Sequence, residues 1–192
     1  MLNSFHAFLQ SFGTIGEPEA ALLVDSCSVI KFNKGDFFVR EGELCSRIGF
    51  LVSGIARVYH LANDKEYTSY FNVTPRNRLV SSFESFFTGK PSRESIHFLE
   101  DAEIVVIDRA SLLQLYSQSS LFQEMGRKMA EFNYILAMER IYSLQHDTAQ
   151  ARYTKLLDIY PDLMNQVPHH YIASYLGVTP ESLSRIRKEL AS

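Results

Sequence analysis

The sequence contains no tryptophan and only two cysteines, Cys27 and Cys45. Because two cysteines without a CxxC spacing cannot supply four ligands, a cysteine-based zinc site and a four-cysteine iron–sulfur cluster are excluded. Such sparse cysteine usage also fits a protein of the reducing cytoplasm. The P-loop, the G-x-S-x-G elbow and the HExxH pair are absent too. We therefore expect no enzymatic activity.

Positive charge and long apolar runs are also scarce. The 192 residues carry a formal net charge of −3, so a surface that binds nucleic acid would have to be local. The N-terminal segment lacks the basic start and continuous apolar core of a signal peptide. No apolar run reaches the length that crosses a membrane. These features predict a cytoplasmic protein with no membrane partner.

Residues 29–108 have the pattern of an antiparallel β-structure, after short N-terminal helices. Stretches rich in β-branched and aromatic residues are separated by glycines, and Asn63-Asp64 predicts a turn between two strands. Ile48, Phe50 and Val52 alternate with smaller or differently facing residues, which predicts a half-buried strand. Short strands at this density predict a β-roll of the jelly-roll type.

A long helix without proline is predicted from Ser120 over about 27 residues. Its first half shows coiled-coil spacing and supplies the candidate dimer interface, Phe122, Met125, Met129, Phe132 and Leu136. In the second half, apolar residues cover more than one face, so the helix must be buried on several sides. It is either a core helix of one subunit or a dimerisation helix that also packs on its own domain. A boundary near His146 separates an N-terminal domain, 1–146, from a C-terminal domain, 147–192.

Residues 169–188 match a helix-turn-helix. Gly177 suits the end of a first helix, where a left-handed backbone is required. Thr179 is a good N-cap for a second helix, and Pro180 fits its first position. Ala173 provides the small side chain needed where the helices cross. The apolar residues predicted to face inward are Ile172, Leu176, Leu183, Ile186 and Leu190.

The opposite face of the second helix supplies the candidate DNA-binding residues. These are Thr179, Glu181, Ser182, Ser184, Arg185, Arg187 and Lys188. Arg185 can donate to guanine O6 and N7, and Glu181 can accept from cytosine N4. Arg187 and Lys188 are suited to phosphate contacts that set position rather than sequence. The alternative is that Glu181 and Arg185 form an ordinary surface pair one helical turn apart.

The chain resembles the CRP/FNR family of bacterial transcription regulators. "KGDFFVREGE" and "IGFLVSGIARVY" look like the start of a cyclic-nucleotide-binding-type roll, and "ESLSR" carries the E-x-x-S-R arrangement of FNR-type recognition helices. The resemblance implies an α+β protein: an antiparallel sensor roll, a dimerisation helix (120–146) and a helix-turn-helix domain. It also implies a homodimer on palindromic double-stranded DNA, with Glu181, Ser184 and Arg185 reading TTGA-like half-sites, and RNA polymerase as a further partner.

The sequence departs from cyclic-AMP-binding members of that family in the phosphate cassette. The cassette's Gly-Glu and Arg-Ser or Arg-Thr positions align with four residues here, Ser81, Ser82, Ser92 and Arg93. A shift to Glu84 with Arg93 restores both charges, but Glu94 would then repel a phosphate. The candidate effector pocket, for an unidentified small molecule or anion, consists of Ser81, Ser82, Glu84, Ser92 and Arg93. The alternative is that these residues form an ordinary surface turn. We expect that cyclic AMP is not the effector.

Other features of the family are also missing. No segment after Leu190 predicts the β-hairpin wing that many members possess. His97 is expected to be packed on a strand rather than to ligate haem, and the adjacent His169 and His170 would diverge by about 100° on a helix. We therefore expect no metal and no cofactor. Three alternatives remain: a regulator that acts only through protein contacts, a regulator that does bind a cyclic nucleotide, and an enzyme.

Overall fold

The computed structural model describes residues 2–74 and 76–191. Eight strands are formed within these ranges: β1 Ser28–Phe32, β2 Phe37–Val39, β3 Arg47–Ser53, β4 Ala56–Ala62, β5 Lys65–Asn72, β6 Leu79–Val80, β7 Ser95–Phe98 and β8 Ala102–Asp108. They form two four-stranded sheets, in the orders β1-β8-β3-β6 and β2-β7-β4-β5. The pairs β1–β8, β3–β8, β3–β6 and β2–β7 are antiparallel, which confirms the predicted roll.

Nine helices lie within the same described ranges, outside the strands: α1 Leu2–Gln10, α2 Glu17–Ser26, α3 Phe83–Thr88, α4 Arg109–Gln118, α5 Ser120–His146, α6 Ala149–Ile159, α7 Leu163–Gln166, α8 His169–Leu176 and α9 Pro180–Ala191. The long proline-free helix α5 has 27 residues and begins where the sequence predicted. No helix among the described residues combines the length and the apolar character needed to span a bilayer.

The chain divides into two compact units. The first contains residues 1–58 and 71–132, and the second contains residues 59–70 and 133–192. Strands β4 and β5 and helix α5 each run from one unit into the other. This division differs from the expected boundary after residue 146, because the tip of the β4–β5 hairpin and the end of α5 cluster with the C-terminal helices.

The β4–β5 hairpin turns at Asn63 and Asp64, as predicted. Both residues have left-handed backbone angles, with φ of 51° and 58°. Two consecutive positive φ angles give the tight turn whose twist matches that of paired strands, and asparagine and aspartate tolerate this conformation well. The hairpin tip therefore has a local cause in the sequence.

The core of the first unit explains why β3 is not the half-buried strand that its alternation predicted. Phe50 is 2% exposed and packs against Phe8 of α1, with ring centroids 4.7 Å apart. Leu51, which points to the opposite face, is fully buried. Helix α1 thus covers the Phe50 face, and the Leu51 face, which the alternating pattern assigned to solvent, is buried as well, so both faces of the middle of β3 lie inside the protein.

The first half of α5 packs within its own unit. Phe122 and Met125 are only 5% and 3% exposed and lie in one cluster with Leu9, Ile15 and Leu115. Side chains so deeply buried in one chain leave little surface for a second subunit, so we assign Phe122 and Met125 to the core instead. The other residues of the expected interface, Met129, Phe132 and Leu136, are half-buried. The large exposed apolar residues of α5 lie further along, at Tyr134, Ile135, Ile141, Tyr142 and Leu144.

Candidate nucleic-acid interface

The turn between α8 and α9 is built as the sequence predicted. Gly177 ends α8 with φ of +69° and ψ of 33°, a left-handed conformation that costs glycine little. Its N–H donates to the Ser174 carbonyl at 3.1 Å, and the Val178 N–H donates to the Ala173 carbonyl at 3.0 Å. These bonds satisfy carbonyl groups that the end of a helix would otherwise leave unpaired.

The second helix begins at the predicted cap. The Ser182 backbone N–H donates to Thr179 Oγ1 at 3.3 Å, and Pro180 is the first residue of α9. Glu181 lies in the same first turn, where a negative charge is favoured by the helix dipole. Hydrogen bonds from its own backbone N–H and from Thr179 lower the pKa of Glu181. The carboxylate is therefore ionised and already close to donors of its own helix end.

The inner faces of the two helices share a buried core. Exposed fractions are 0% for Ile172, Ala173 and Leu176, 1% for Leu183 and 7% for Ile186. This confirms the predicted inward positions, with one correction. Leu190 is 45% exposed, because the last turn of α9 extends beyond the residues that cover the earlier turns.

The candidate reading residues lie on the outer face of α9. Exposed side chains are those of Thr179, Glu181, Ser184, Arg185, Arg187 and Lys188. Ser182 is half-buried, and its hydroxyl lies 3.3 Å from Thr179 Oγ1. Among the residues that the structure describes, no carboxylate forms an ion pair with Arg185, Arg187 or Lys188. The surface pair expected as an alternative for Glu181 and Arg185 is therefore not formed.

One cation of α9 reaches the start of α8. Nη1 of Arg187 lies 3.3 Å from Nε2 and 3.4 Å from Nδ1 of His169. Because both ring nitrogens are about equally close, the guanidinium faces the ring rather than a single nitrogen. Arg187 is thus held beside the N-terminus of α8, where backbone N–H groups favour an anion.

Sequence reasoning missed the residues that join α6 to this helix pair. Arg152 of α6 donates from Nε to the Leu176 carbonyl at 2.9 Å and from Nη1 to the Asp147 carbonyl at 2.6 Å. The Asp147 side chain in turn accepts from Lys155 and Ser143, and these bonds lower its pKa. Bonds from side chains to distant backbone groups produce no spacing pattern, so the sequence carried no signal for them.

In the first unit, the structure brings the cassette serines together but not around an open site. The hydroxyls of Ser82 and Ser92 lie 2.9 Å apart, and Ser92 Oγ also lies 2.6 Å from the Glu94 carbonyl oxygen. Ser81 donates to the Arg47 carbonyl at 3.1 Å. All three serines are at most 3% exposed. Their polar atoms therefore already have partners within the chain.

The charged members of the cassette point elsewhere. Arg93 and Glu84 form a surface ion pair at 3.6 Å, with side chains 82% and 51% exposed. Glu94 is half-buried. Burial raises the pKa of Glu94 to about 7, a hydrogen bond with Ser82 opposes this, and the negative charge of Glu84 adds to it. The cassette thus offers an incoming anion no unpaired cation and one unfavourable carboxyl group.

The structure also bears on the histidines considered as ligands. His97 packs beside Phe37 with ring centroids 5.6 Å apart, which fits the expected packed strand position. Among residues 2–74 and 76–191, histidine, cysteine and acidic side chains do not gather in groups of three that could hold a metal ion.

Comparison with known proteins supplies independent information on the fold. Residues 29–119 match the family model of the cyclic nucleotide-binding domain. Among curated proteins, no sequence is significantly similar. FixK2 from Bradyrhizobium japonicum superposes with a TM-score of 0.70 and 18% identity, over 86% of this chain and 84% of FixK2.

Two further solved structures are similar over nearly the whole chain. A transcriptional regulator of the crp/fnr family from Eubacterium rectale has a TM-score of 0.70 and 16% identity, covering 92% of this chain and 84% of that one. CLP from Xanthomonas campestris, a global regulator responsive to c-di-GMP, has a TM-score of 0.67 and 14% identity, covering 92% of both chains. At these identities the likeness is one of fold.

Proposed function

We propose that this chain, which has the fold of the CRP/FNR transcription regulators that its sequence resembles, is a homodimeric regulator that reads palindromic DNA. One observation carries the proposal. The helix pair α8–α9 buries Leu183 and Ile186 and leaves Arg185, Arg187 and Lys188 on the opposite face without carboxylate partners. Helix α9 carries these three cations against two carboxylates, Glu181 and Glu189, so a net acidic chain has a locally positive helix of the kind that DNA binding requires.

The roles of the outer residues follow from their places on α9. Glu181, Ser184 and Arg185 lie in its first half, the part of a recognition helix that reaches base edges. Arg185 donates to a guanine, while Glu181 accepts from a cytosine once it leaves its own helix end. Arg187 and Lys188 neutralise phosphates and set the register. In this arrangement Arg187 is already aligned by His169.

The dimer contact lies on the second half of α5. Tyr134, Met138 and Ile141 follow the four-then-three spacing of a coiled-coil seam, and Ile135 and Tyr142 flank it. Four of these five residues are among the large exposed apolar side chains of the monomer. Covering them against a second copy would remove that apolar surface from water, which is the main driving force for such an association. This seam replaces the one expected from Phe122 and Met125.

The effector of this regulator is not cyclic AMP. Ser82 and Ser92, at the positions where cyclic-AMP-binding members carry the ligand-holding carboxylate and arginine, are bonded to each other, and Arg93 is paired with Glu84 at the surface. A nucleotide phosphate would have to break these contacts and lie near Glu94. The family resemblance is compatible with a different effector or with none. It also implies that the regulator contacts RNA polymerase.

Fluorescence anisotropy on a duplex with two inverted TTGA half-sites about one helical turn apart tests the proposal. Salt is fixed and no nucleotide is added. The wild type is expected to prefer this duplex to a scrambled one, and Arg185→Ala is expected to lose about 1–3 kcal/mol, the contribution of one bidentate base contact. Lys31→Ala, which removes an equal charge from the exposed side of β1, is the matched control.

The outcomes separate the competing functions. A regulator that acts through protein contacts would give a different result. The wild-type dimer would then bind both duplexes equally weakly, and Arg185→Ala would bind them with the same affinity as the wild type. A wild type that discriminates only after cyclic AMP is added would refute the effector argument and leave the DNA-reading argument intact. A selection from random duplexes distinguishes a wrongly chosen half-site from a protein that reads no DNA sequence.

A further inference from the structure

The outer edge of strand β5 is held by a side chain of the helix-turn-helix. β5 is the terminal strand of its sheet, so one row of its backbone groups has no neighbouring strand. The Thr68 backbone N–H donates to Ser174 Oγ at 2.9 Å, and the Ser174 hydroxyl donates to the Glu66 carbonyl at 3.2 Å. A single hydroxyl on α8 therefore bonds two backbone groups, two residues apart, that an adjacent strand would otherwise bond.

An arginine of α5 makes the second connection between the same elements. Arg140 Nε donates to the Ser69 carbonyl of β5 at 3.1 Å, and its Nη2 donates to the Tyr175 carbonyl of α8. The guanidinium carbon also lies 3.9 Å from the centre of the Tyr175 ring. Burial lowers the pKa of Arg140. One rigid, planar donor group thus spans the hairpin and the end of α8 at the same time.

These contacts converge on the end of α8. The last carbonyls of a helix have no partner inside it, and here Arg140 takes that of Tyr175 while Arg152 takes that of Leu176. The next residue is Gly177, which begins the turn into α9. The point from which the recognition helix starts is therefore fixed by α5, by α6 and by the hairpin.

We propose that Arg140 and Ser174 are positioning residues that hold the helix pair α8–α9 in one orientation relative to the β4–β5 hairpin. The inference rests on the proposed DNA-reading function. Because β4 and β5 continue into the roll, a displacement of these strands reaches the reading helices through the two side chains. A pair held in one orientation loses less conformational freedom on binding, so the clamp increases DNA affinity.

The orientation is measurable without DNA. Two nitroxide labels, at Lys65→Cys on the hairpin and Lys188→Cys on α9, report the distance between them by pulsed electron resonance in a Cys27→Ser background. Both positions are exposed, and Cys45 is buried. The distance distribution is expected to be narrow in this background and to broaden in Ser174→Ala. Ser174→Thr, which keeps the hydroxyl, is expected to restore the narrow distribution.

Arg140→Lys tests the second contact while keeping the charge. A lysine ammonium cannot reproduce the fork that serves Ser69 and Tyr175 together, so this variant should broaden the distribution as well. Ser117→Ala is the matched control, because its hydroxyl makes one local bond, to the Gln114 carbonyl. Circular dichroism melts establish that each variant is folded. A distribution in Ser174→Ala as narrow as in its parent overturns the proposal, whatever the DNA result.

DNA binding provides the second arm. On the specific duplex, Ser174→Ala is expected to raise Kd about tenfold, since loss of two backbone bonds lowers the population of the oriented pair. Ser174→Thr should restore the wild-type Kd, which a nonspecific packing defect would not allow. If the wild type reads the duplex and Ser174→Ala binds it with an unchanged Kd, the role of Ser174 in DNA reading is overturned. If the wild type does not read the duplex, the proposed function fails, and the distance measurement still decides whether the two residues position the pair.

Discussion

Replacing Gly177 by alanine is the sharpest test of the turn on which the helix pair depends. The residue has φ of +69°, which alanine adopts only with strain. A Cβ built there would lie 3.6 Å from Leu144 Cδ2 and 3.8 Å from Arg152 Nη2, both ordinary van der Waals contacts. The substitution therefore introduces backbone strain but no steric overlap.

This geometry determines how much stability Gly177→Ala should lose. A left-handed residue with a Cβ costs about 1–2 kcal/mol, and the reduced freedom of the unfolded chain offsets about 0.4–1 kcal/mol of this. We expect Gly177→Ala to lower the free energy of unfolding by roughly 1 kcal/mol. Gly177→Asn should cost less, because asparagine tolerates this conformation. The expected loss is well below that of creating a cavity in the same core.

The assay is urea denaturation followed by circular dichroism at about 222 nm, because the chain has no tryptophan to report fluorescence. Gly42→Ala is the matched control: its φ is +87°, and no atom beyond the adjacent residues of the chain lies within 4 Å of the added Cβ. It should destabilise by a similar amount but leave DNA affinity unchanged. A loss of stability above about 3 kcal/mol for Gly177→Ala would refute the absence of steric overlap, and no loss would refute the left-handed turn.

Three further predictions follow from the same structure. Gly54→Ala should destabilise far more than Gly177→Ala in the urea assay, because its Cβ would lie 2.5 Å from Ala102 Cβ; a smaller effect would contradict that close approach. Glu94→Gln should leave the free energy of unfolding little changed near pH 4.5 and raise it above pH 7. The reason is that a carboxyl group whose folded pKa is raised to about 7 loses its stabilising contribution as the pH rises through that value. A difference in stability between the variant and the wild type that stays the same at all pH values would exclude this. Phe122→Ala should cost about 3–5 kcal/mol of monomer stability, whereas Tyr134→Ala, at a residue 67% exposed, should weaken self-association in sedimentation experiments; the reverse pattern would restore the original seam.

The sequence determined much of this protein because several of its signals are local. Gly177, Thr179 and Pro180 each satisfy a backbone requirement within one turn of helix, so the helix-turn-helix could be predicted residue by residue. Asn63 and Asp64 define the hairpin tip by the same kind of argument. The order of roll, long helix and helix pair then followed from these local patterns.

The tertiary structure decided what spacing alone leaves open. Phe122 and Tyr134 both lie on an apolar stretch of α5, but only packing against α1 and α4 shows that the first belongs to the core and that the second is exposed. Likewise, Ser174 and Arg140 have no sequence signature, because their partners on β5 lie 106 and 71 residues away. Hydrophobic periodicity indicates that one face of a helix is buried, but it does not indicate which element covers that face. Hydrogen bonds from side chains to distant backbone groups leave no periodic pattern in the sequence. Local sequence therefore determined helices α8 and α9, which we propose read DNA, and the fold determined the surface on which they are held.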